Sequence, residues 1–501
     1  MKTLRIKGFR SIRDSGEIQL KPITAVIGRN SCGKSSFLRF FPLLKQSSEK
    51  EISETLLWYG DYVDFGNYNS IKPQFSNDIS TSFELKLNLN NFNVPYYYIR
   101  TFFNEQINMD VTVKAYILEK YVSKLLVSYL DQEIEIFMSG DGVVDKVIIN
   151  GYEQLIDSSQ YKWTRSSTLI LPIIEKKGDK RNYFYFREDK DVENEIYKIL
   201  ETIAPKNTKN RRIEELTKSL LTMPSKRELK KYLCNYDTLM SISNYFNEEK
   251  SEELFNRLNA YVAFYNFTSL LFAFNRVLLT EIENIHYLKP IRANVNRYYR
   301  IQGLNIDHVD ADGSNLAMIL YNLTDDERAK FEKWSSLNFG IKFSVSKDSG
   351  HASLIIYDNK GNKINLADTG YGYSQILPII VELWLLLNQK KNLDTKNIMV
   401  VIEQPELHLH PAFQAKVIDL FANIINQAKK QQIELKIIFE THSETMINRL
   451  GYLVSKNILN INDVNILAFE KDAFETEVSS MSFNEMGIIS EWPIGFFSME
   501  D

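Results

Sequence analysis

The sequence predicts an α/β fold whose mostly parallel sheet is assembled from both chain ends, with a β-rich region and a mainly helical insertion between them. Three observations carry this reading. Near the N-terminus an apolar run enters the glycine loop of ITAVIGRNSCGKSS and then the helix-like FLRFFPLLKQ, which reads as strand, loop, helix. Towards the C-terminus NIMVVIE, a helix from about Pro411 to Lys429, LKIIFE, a helix after Ser443 and VNILAFE alternate strand with helix. Between them, the spacing of acids, bases and leucines from Asp191 to Glu283 predicts helices.

Residues 2–7 and 18–27 alternate or run apolar with β-branched side chains and predict the first strands. Phe83 to Leu89, Tyr96 to Phe103 and Val111 to Leu118 predict short strands. From Gly340 the strand pattern returns in IKFSVS and ASLIIYDNKGNKINLAD, where Asp358-Asn359-Lys360-Gly361 supplies hairpin turn chemistry, and a helix follows over 373–389. The resulting division is 1–85 for the first part of the α/β core, 86–190 for the β-rich region, 191–285 for the helical insertion and 286–501 for the rest of the core. No internal repeat or low-complexity linker interrupts it.

The 501 residues are enough for a sizeable core, and a net charge of −4 is too small to name a partner through the field of the whole molecule. Two cysteines, Cys32 and Cys234, make neither a disulfide framework nor a zinc-site spacing, which predicts a cytoplasmic chain. The opening MKTLRIKGFRSI has no apolar h-region, and the apolar run Ile376 to Leu387 is broken by Pro378 and Glu382 and is too short for a bilayer. No membrane association is expected.

Gly28-Arg29-Asn30-Ser31-Cys32-Gly33-Lys34-Ser35, followed by Ser36, fits G-x-x-x-x-G-K-[ST], in which backbone N–H groups and a helix N-terminus cradle phosphates. ATP with Mg²⁺ is therefore the expected ligand, Lys34 meeting the β and γ phosphates and Ser35 the metal. Five apolar residues lead to Glu403, which suits the magnesium carboxylate at the end of a buried strand, the Walker B role. In the following Gln404-Pro405-Glu406-Leu407-His408-Leu409-His410-Pro411, two histidines at i and i+2 could ligate metal, but no third ligand lies nearby in sequence. A loop facing a second protomer is the preferred reading. His442, just after the next apolar strand, stands where it would sense or polarise a γ-phosphate. Asp368-Thr-Gly-Tyr-Gly-Tyr-Ser-Gln375 places Gly372, Ser374 and Gln375 at a helix N-terminus, either to grip the γ-phosphate held by another protomer or, for Ser374, simply as an N-cap.

These four motifs in this order resemble the ABC-type ATPase heads of the RecF, SMC and OLD group. GYGYSQILP and IEQPELHLHP are similar, more narrowly, to bacterial stand-alone AAA-type predicted ATPases of anti-phage defence systems. FRSI, YVDFGNYNSI (62–71), LKPIRANVNRYY (288–299), ETHSETMINRL (440–450) and WPIGFF (492–497) extend the resemblance, which leaves about residues 85–285 unclaimed. It implies an ABC-ATPase-like P-loop head that closes as a homodimer or higher oligomer on two ATP molecules, each between one phosphate loop and the other protomer's segment Gly370 to Gln375. Where transporter-type relatives carry a water-activating glutamate this chain has Gln404, which orients water but is a poor proton acceptor. Either Glu403 or Glu406 then serves as base, or turnover is slow.

OLD-type proteins carry a Toprim nuclease after the head, and the 59 residues beyond His442 are too few for one. An effector such as an HNH nuclease is therefore expected in trans, as in the Septu defence system with its PtuA ATPase. Lys206 to Lys231 carries nine Lys or Arg against three Glu, which fits either a nucleic-acid backbone or a solvated helix face. The aromatic Tyr261 to Phe274 reads as core or oligomer interface. The expected function is a defence regulator working through ATP-dependent dimerisation. The alternative is a RecF- or SMC-like DNA-maintenance ATPase, which the absence of sustained heptads disfavours in its coiled-coil form.

Overall fold

Ile23–Gly28 is buried along its whole length, as are residues 398–403 of Asn397–Glu403 and 435–440 of Glu434–Glu440. Such runs belong in a parallel sheet covered on both faces. In the computed structural model, Ile285–Leu288 pairs parallel with Asn397–Glu403, that strand with Glu434–Glu440, that with Ile23–Gly28, and that with Val464–Asp472. Glu475–Met481 then pairs antiparallel with Val464–Asp472. The glycine-loop strand is thus central, between two strands from the C-terminal part, and the split α/β core expected from sequence is the fold observed. The structure describes residues 1–73, 80–89, 109–153, 155–166, 169–178, 189–223, 225–236, 240–303, 306, 308–348, 350–358, 360–388, 397–472 and 475–489.

Alternate residues of the parallel strands enter opposite cores. Val26, Met399, Val401, Ile438 and Leu467 join the core built with residues 1–285, whereas Ala25, Val400, Ile402, Ile437 and Ile466 join a second one. The second core is completed by the helices Tyr371–Asn388, Pro411–Lys430 and Glu444–Ser455.

On the other side Thr3–Phe9 pairs with Ser82–Asn88, which opens an antiparallel meander of Asp110–Ile117, Val122–Tyr129, Gln132–Ser139 and Val143–Ile149. Alternating burial along Asp110–Ile117 marks one covered face. The long helix Glu252–Glu283 packs against this region: Tyr129 Oη donates to the Ala263 carbonyl at 3.2 Å, and Gln132 and Asn259 exchange amide hydrogen bonds at 2.9 and 3.0 Å. Its aromatic stretch is core, with Tyr261, Phe264, Phe267 and Phe274 buried. By length and composition the helix could cross a membrane, but two thirds of its apolar window is buried within the fold. The remaining insertion helices are Lys190–Ile203, Asn210–Leu221, Lys226–Cys234 and Met240–Phe246. Within the basic stretch Arg211 pairs with Glu215 and Lys230 with Glu252, at exposed positions.

The hairpin expected at Asp358 forms, with Asp358 Oδ1 accepting from the N–H groups of Lys360 and Asn362. The strand expected over Tyr96 to Phe103, Asn359 and the WPIGFF segment lie outside the described residues.

Candidate active site

The phosphate loop leaves the central strand at Gly28, whose φ of 149° already calls for glycine; a Cβ there would sit 2.3 Å from the Phe469 carbonyl oxygen. Gly33, at φ 93°, turns the chain into the helix Lys34–Leu38. The N–H groups of that helix's first turn have no intrahelical acceptor, the usual provision for an anion. Lys34 is buried and its ammonium donates to the carbonyls of Gly28 (2.9 Å) and Arg29 (2.7 Å), so the loop holds its own cation in place.

Glu440 ends the neighbouring strand and is buried, with its register partner Glu403 one strand further out. Ser35 Oγ donates to Glu440 Oε2 at 2.7 Å, and Lys34 Nζ and His442 Nε2 each lie 3.8 Å from Glu440 Oε1. Burial by itself would raise the Glu440 pKa; the neighbouring His442 imidazole, the Ser35 hydrogen bond and the Lys34 charge outweigh it and hold the carboxyl below its ordinary value.

Glu403, the acid expected to serve the metal with Ser35, ends the next strand out, beyond the one carrying Glu440. Both Glu403 oxygens accept from Arg39, at 2.8 Å each, and Oε1 also accepts from Tyr287 Oη at 2.6 Å. The hydrogen bond from Arg39 to Glu403 holds the guanidinium above its ordinary pKa, while burial and the same carboxylate push the Tyr287 phenol up.

Past Glu403 the chain turns through Gln404, a non-glycine residue at φ 45°, to Glu406. Glu406 Oε1 accepts from the His442 backbone N–H at 2.7 Å, while its Oε2 is buried without a partner. Burial raises its pKa above the ordinary 4.5, so ionisation costs stability as pH rises from there through the folded value. Glu406→Gln should therefore melt higher than the parent at pH 8, with the gap closing as pH falls towards 4.5; a gap independent of pH in thermal unfolding would refute the assignment. Close by is Arg292, fully buried, whose Nη2 donates to the Glu403 carbonyl at 3.1 Å while Nε and Nη1 have no partner. Burial lowers its pKa to about 10. Arg292 falls within LKPIRANVNRYY, but its part in the site was not visible there.

Asn30, Lys34, Ser35, Gln404, Glu440 and His442 share one open cleft of about 590 Å³. Arg10, Lys72 and Lys471, which sequence reasoning missed, add positive charge to its wall. An ammonium, a hydroxyl and unpaired helix N–H groups on one side, with cations around the rim, fit a polyphosphate. The oxygen donors Ser35 and Glu440 fit Mg²⁺, which takes only one or two carboxylates and fills its shell with phosphate and water. Among the described residues no group of three or more His, Cys, Asp or Glu could hold a metal. His410 instead caps Pro411–Lys430, its Nδ1 accepting from the Ala412 N–H, and the exposed His408 ring meets Tyr371 edge-on at 5.1 Å.

Gly372, Ser374 and Gln375 do not line this cleft. The helix begins at Tyr371, so Ser374 is no N-cap; it is buried and donates to the Tyr371 carbonyl at 2.6 Å. Gln375 accepts from the Arg292 N–H at 3.2 Å, and a Cβ on Gly372 would lie 2.9 Å from the His408 carbonyl. This segment is braced against the turn after Glu403, with Gly370 and Tyr371 exposed.

Residues 1–447 match the family described as AAA ATPase domain. No curated protein matches. Among solved structures, the Smc head domain with an extended coiled coil bound to the C-terminal domain of ScpA, from Pyrococcus furiosus, is 14% identical over 96% of each chain, with a TM-score of 0.35. The SMC head domain from Thermotoga maritima is 9% identical over 95% of this chain and 97% of that one, at 0.34. The Smc head domain with a coiled coil and joint from Pyrococcus yayanosii is 12% identical over 97% of each, also at 0.34.

Proposed function

The chain belongs to the AAA ATPase domain family, and on that premise we propose that it binds and slowly hydrolyses ATP with Mg²⁺, using the nucleotide to bring two protomers together. The observation that carries this is a half-built site. The loop, Lys34, Gln404 and His442 meet in one cleft, whereas the segment Gly370 to Gln375, chemically suited to an anion, is braced elsewhere on the same protomer. A second copy presenting that segment would complete the enclosure.

Within it, Lys34 and the helix N–H groups bind and orient the phosphates, and His442 stands to feel the terminal one. Mg²⁺ would neutralise phosphate charge. Gln404 orients water without removing its proton, which accords with slow turnover and a switching role. Glu403 is a poor base with both oxygens already engaged; Glu406, half-buried with Oε2 unpartnered, is the freer of the two, and neither lines the cleft of the single protomer.

Gly370 tests the pairing because a side chain there has open space in the protomer, nothing lying within 4 Å of its Cβ position. Gly370→Glu should leave the melting curve within about 0.5 kcal/mol of the parent but abolish ATP-dependent dimers in light scattering. Undiminished ATP-dependent dimers would rule out this face as the contact.

The biological setting we propose is control of a separate effector, such as an HNH nuclease, in anti-phage defence, with the GYGYSQILP and IEQPELHLHP strings as its support. Purification from phage-infected cells tests it. Recovery of a nuclease supports this setting, whereas DNA-stimulated turnover with no protein partner favours DNA maintenance.

A further inference from the structure

Two adjacent strands end alike, IMVVIE and LKIIFE, each an apolar run tipped by glutamate, and the fold gives the two acids different surroundings. Glu403 accepts three hydrogen bonds, two from Arg39 and one from Tyr287, and does not line the cleft. Glu440 lines it, touching the hydroxyl of Ser35 and lying near the Lys34 ammonium. The backbone fixes Glu440 from both sides. The Gln404 N–H donates to the Glu440 carbonyl at 3.0 Å, and the Thr441 N–H donates to the Val26 carbonyl at 3.0 Å, on the strand that carries the glycine loop.

We propose that Glu440, and not Glu403, supplies the protein carboxylate that acts with Ser35 on the Mg²⁺ accompanying ATP. Arg39 and Tyr287 then keep Glu403 as a fixed post beneath the turn at Gln404. To engage a cation, Glu403 would have to leave a guanidinium and a phenol in a buried setting, where removing one partner of a pair is costly. Glu440 accepts one hydrogen bond, from the Ser35 hydroxyl of the same donor set, and its ion pair with Lys34 is longer, at 3.8 Å, than that of Glu403 with Arg39, at 2.8 Å. The inference rests on the nucleotide reading of the cleft.

Affinity for a fluorescent ATP analogue, measured with Mg²⁺ and with EDTA, separates the two acids. The parent should bind more tightly with Mg²⁺. Glu440→Gln, which keeps an acceptor for Ser35, should lose about 10- to 100-fold of that metal-dependent gain while binding in EDTA is retained. Glu403→Gln should keep the gain. The reverse pattern, with the gain surviving at 440 and lost at 403, overturns the proposal. A parent that binds no nucleotide in either buffer overturns the reading of the cleft itself, a different failure. As a second variant, Glu440→Cys should bind the analogue more tightly with Cd²⁺ than with Mg²⁺, since a thiolate prefers the softer ion; no shift towards Cd²⁺ also counts against metal contact at this position.

Discussion

Replacing Lys34 with alanine is expected to slow ATP turnover by about 10²- to 10³-fold, the usual effect of losing one charged donor aimed at developing negative charge. The side chain is almost fully buried, and its ammonium contacts two loop carbonyls while lying near Glu440, so two losses compete. One is chemical, the cation for the phosphates. The other is local: the carbonyls of Gly28 and Arg29 lose a charged donor worth about 1.5–3 kcal/mol. Lys34→Met helps separate them, because it keeps much of the aliphatic packing and removes only the charge. Both variants should bind nucleotide more weakly than the parent by titration calorimetry while still unfolding cooperatively. Unchanged hydrolysis by purified Lys34→Ala would reject the cleft as the ATP site.

Removing Arg39 should cost more stability than any other single change around the cleft. Arg39→Ala leaves the Glu403 carboxylate, only 2% exposed, with Tyr287 as its remaining side-chain donor. Breaking a fully buried pair in this way costs about 3–5 kcal/mol. The Arg39 side chain is 33% exposed, so water can partly replace it, and a loss below that range, about 2–3 kcal/mol, is expected. Urea denaturation measures it. Adding Glu403→Gln to the alanine variant should recover much of the loss, since the penalty lies in the uncompensated charge and not in the missing contact. A double variant no more stable than Arg39→Ala would show that the pair is not what holds this region together.

The phosphate loop was legible because its information is local: eight consecutive residues specify a strand exit, a cradle and a helix start. The parallel strands were legible for a related reason, since burial on both faces leaves an uninterrupted apolar run such as IMVVI. Strand order was not. IMVVIE and LKIIFE are the same signal, and only the sheet decides which acid meets Ser35, by placing Glu434–Glu440 next to Ile23–Gly28. Arg39 was hidden for a different reason. It is five residues past Lys34 on the same helical stretch, and nothing near it in sequence names a counterion 364 positions away. Phe83 to Leu89 and Val111 to Leu118 form strands as their alternation predicts, but the pairing of Ser82–Asn88 with Thr3–Phe9, which makes them continuous with the first strand of the core, depends on a register no local pattern encodes.

The central position of Ile23–Gly28 has a bearing on biosynthesis. Its hydrogen-bonding neighbours on both edges, Glu434–Glu440 and Val464–Asp472, leave the ribosome roughly 400 residues after it, an interval of about 20–80 s at ordinary elongation rates. Throughout that time the nascent chain carries a largely apolar segment with two open edges, a template for aggregation unless something shelters it. Yield in the cell should accordingly depend on chaperone supply more than the stability of the finished molecule would suggest.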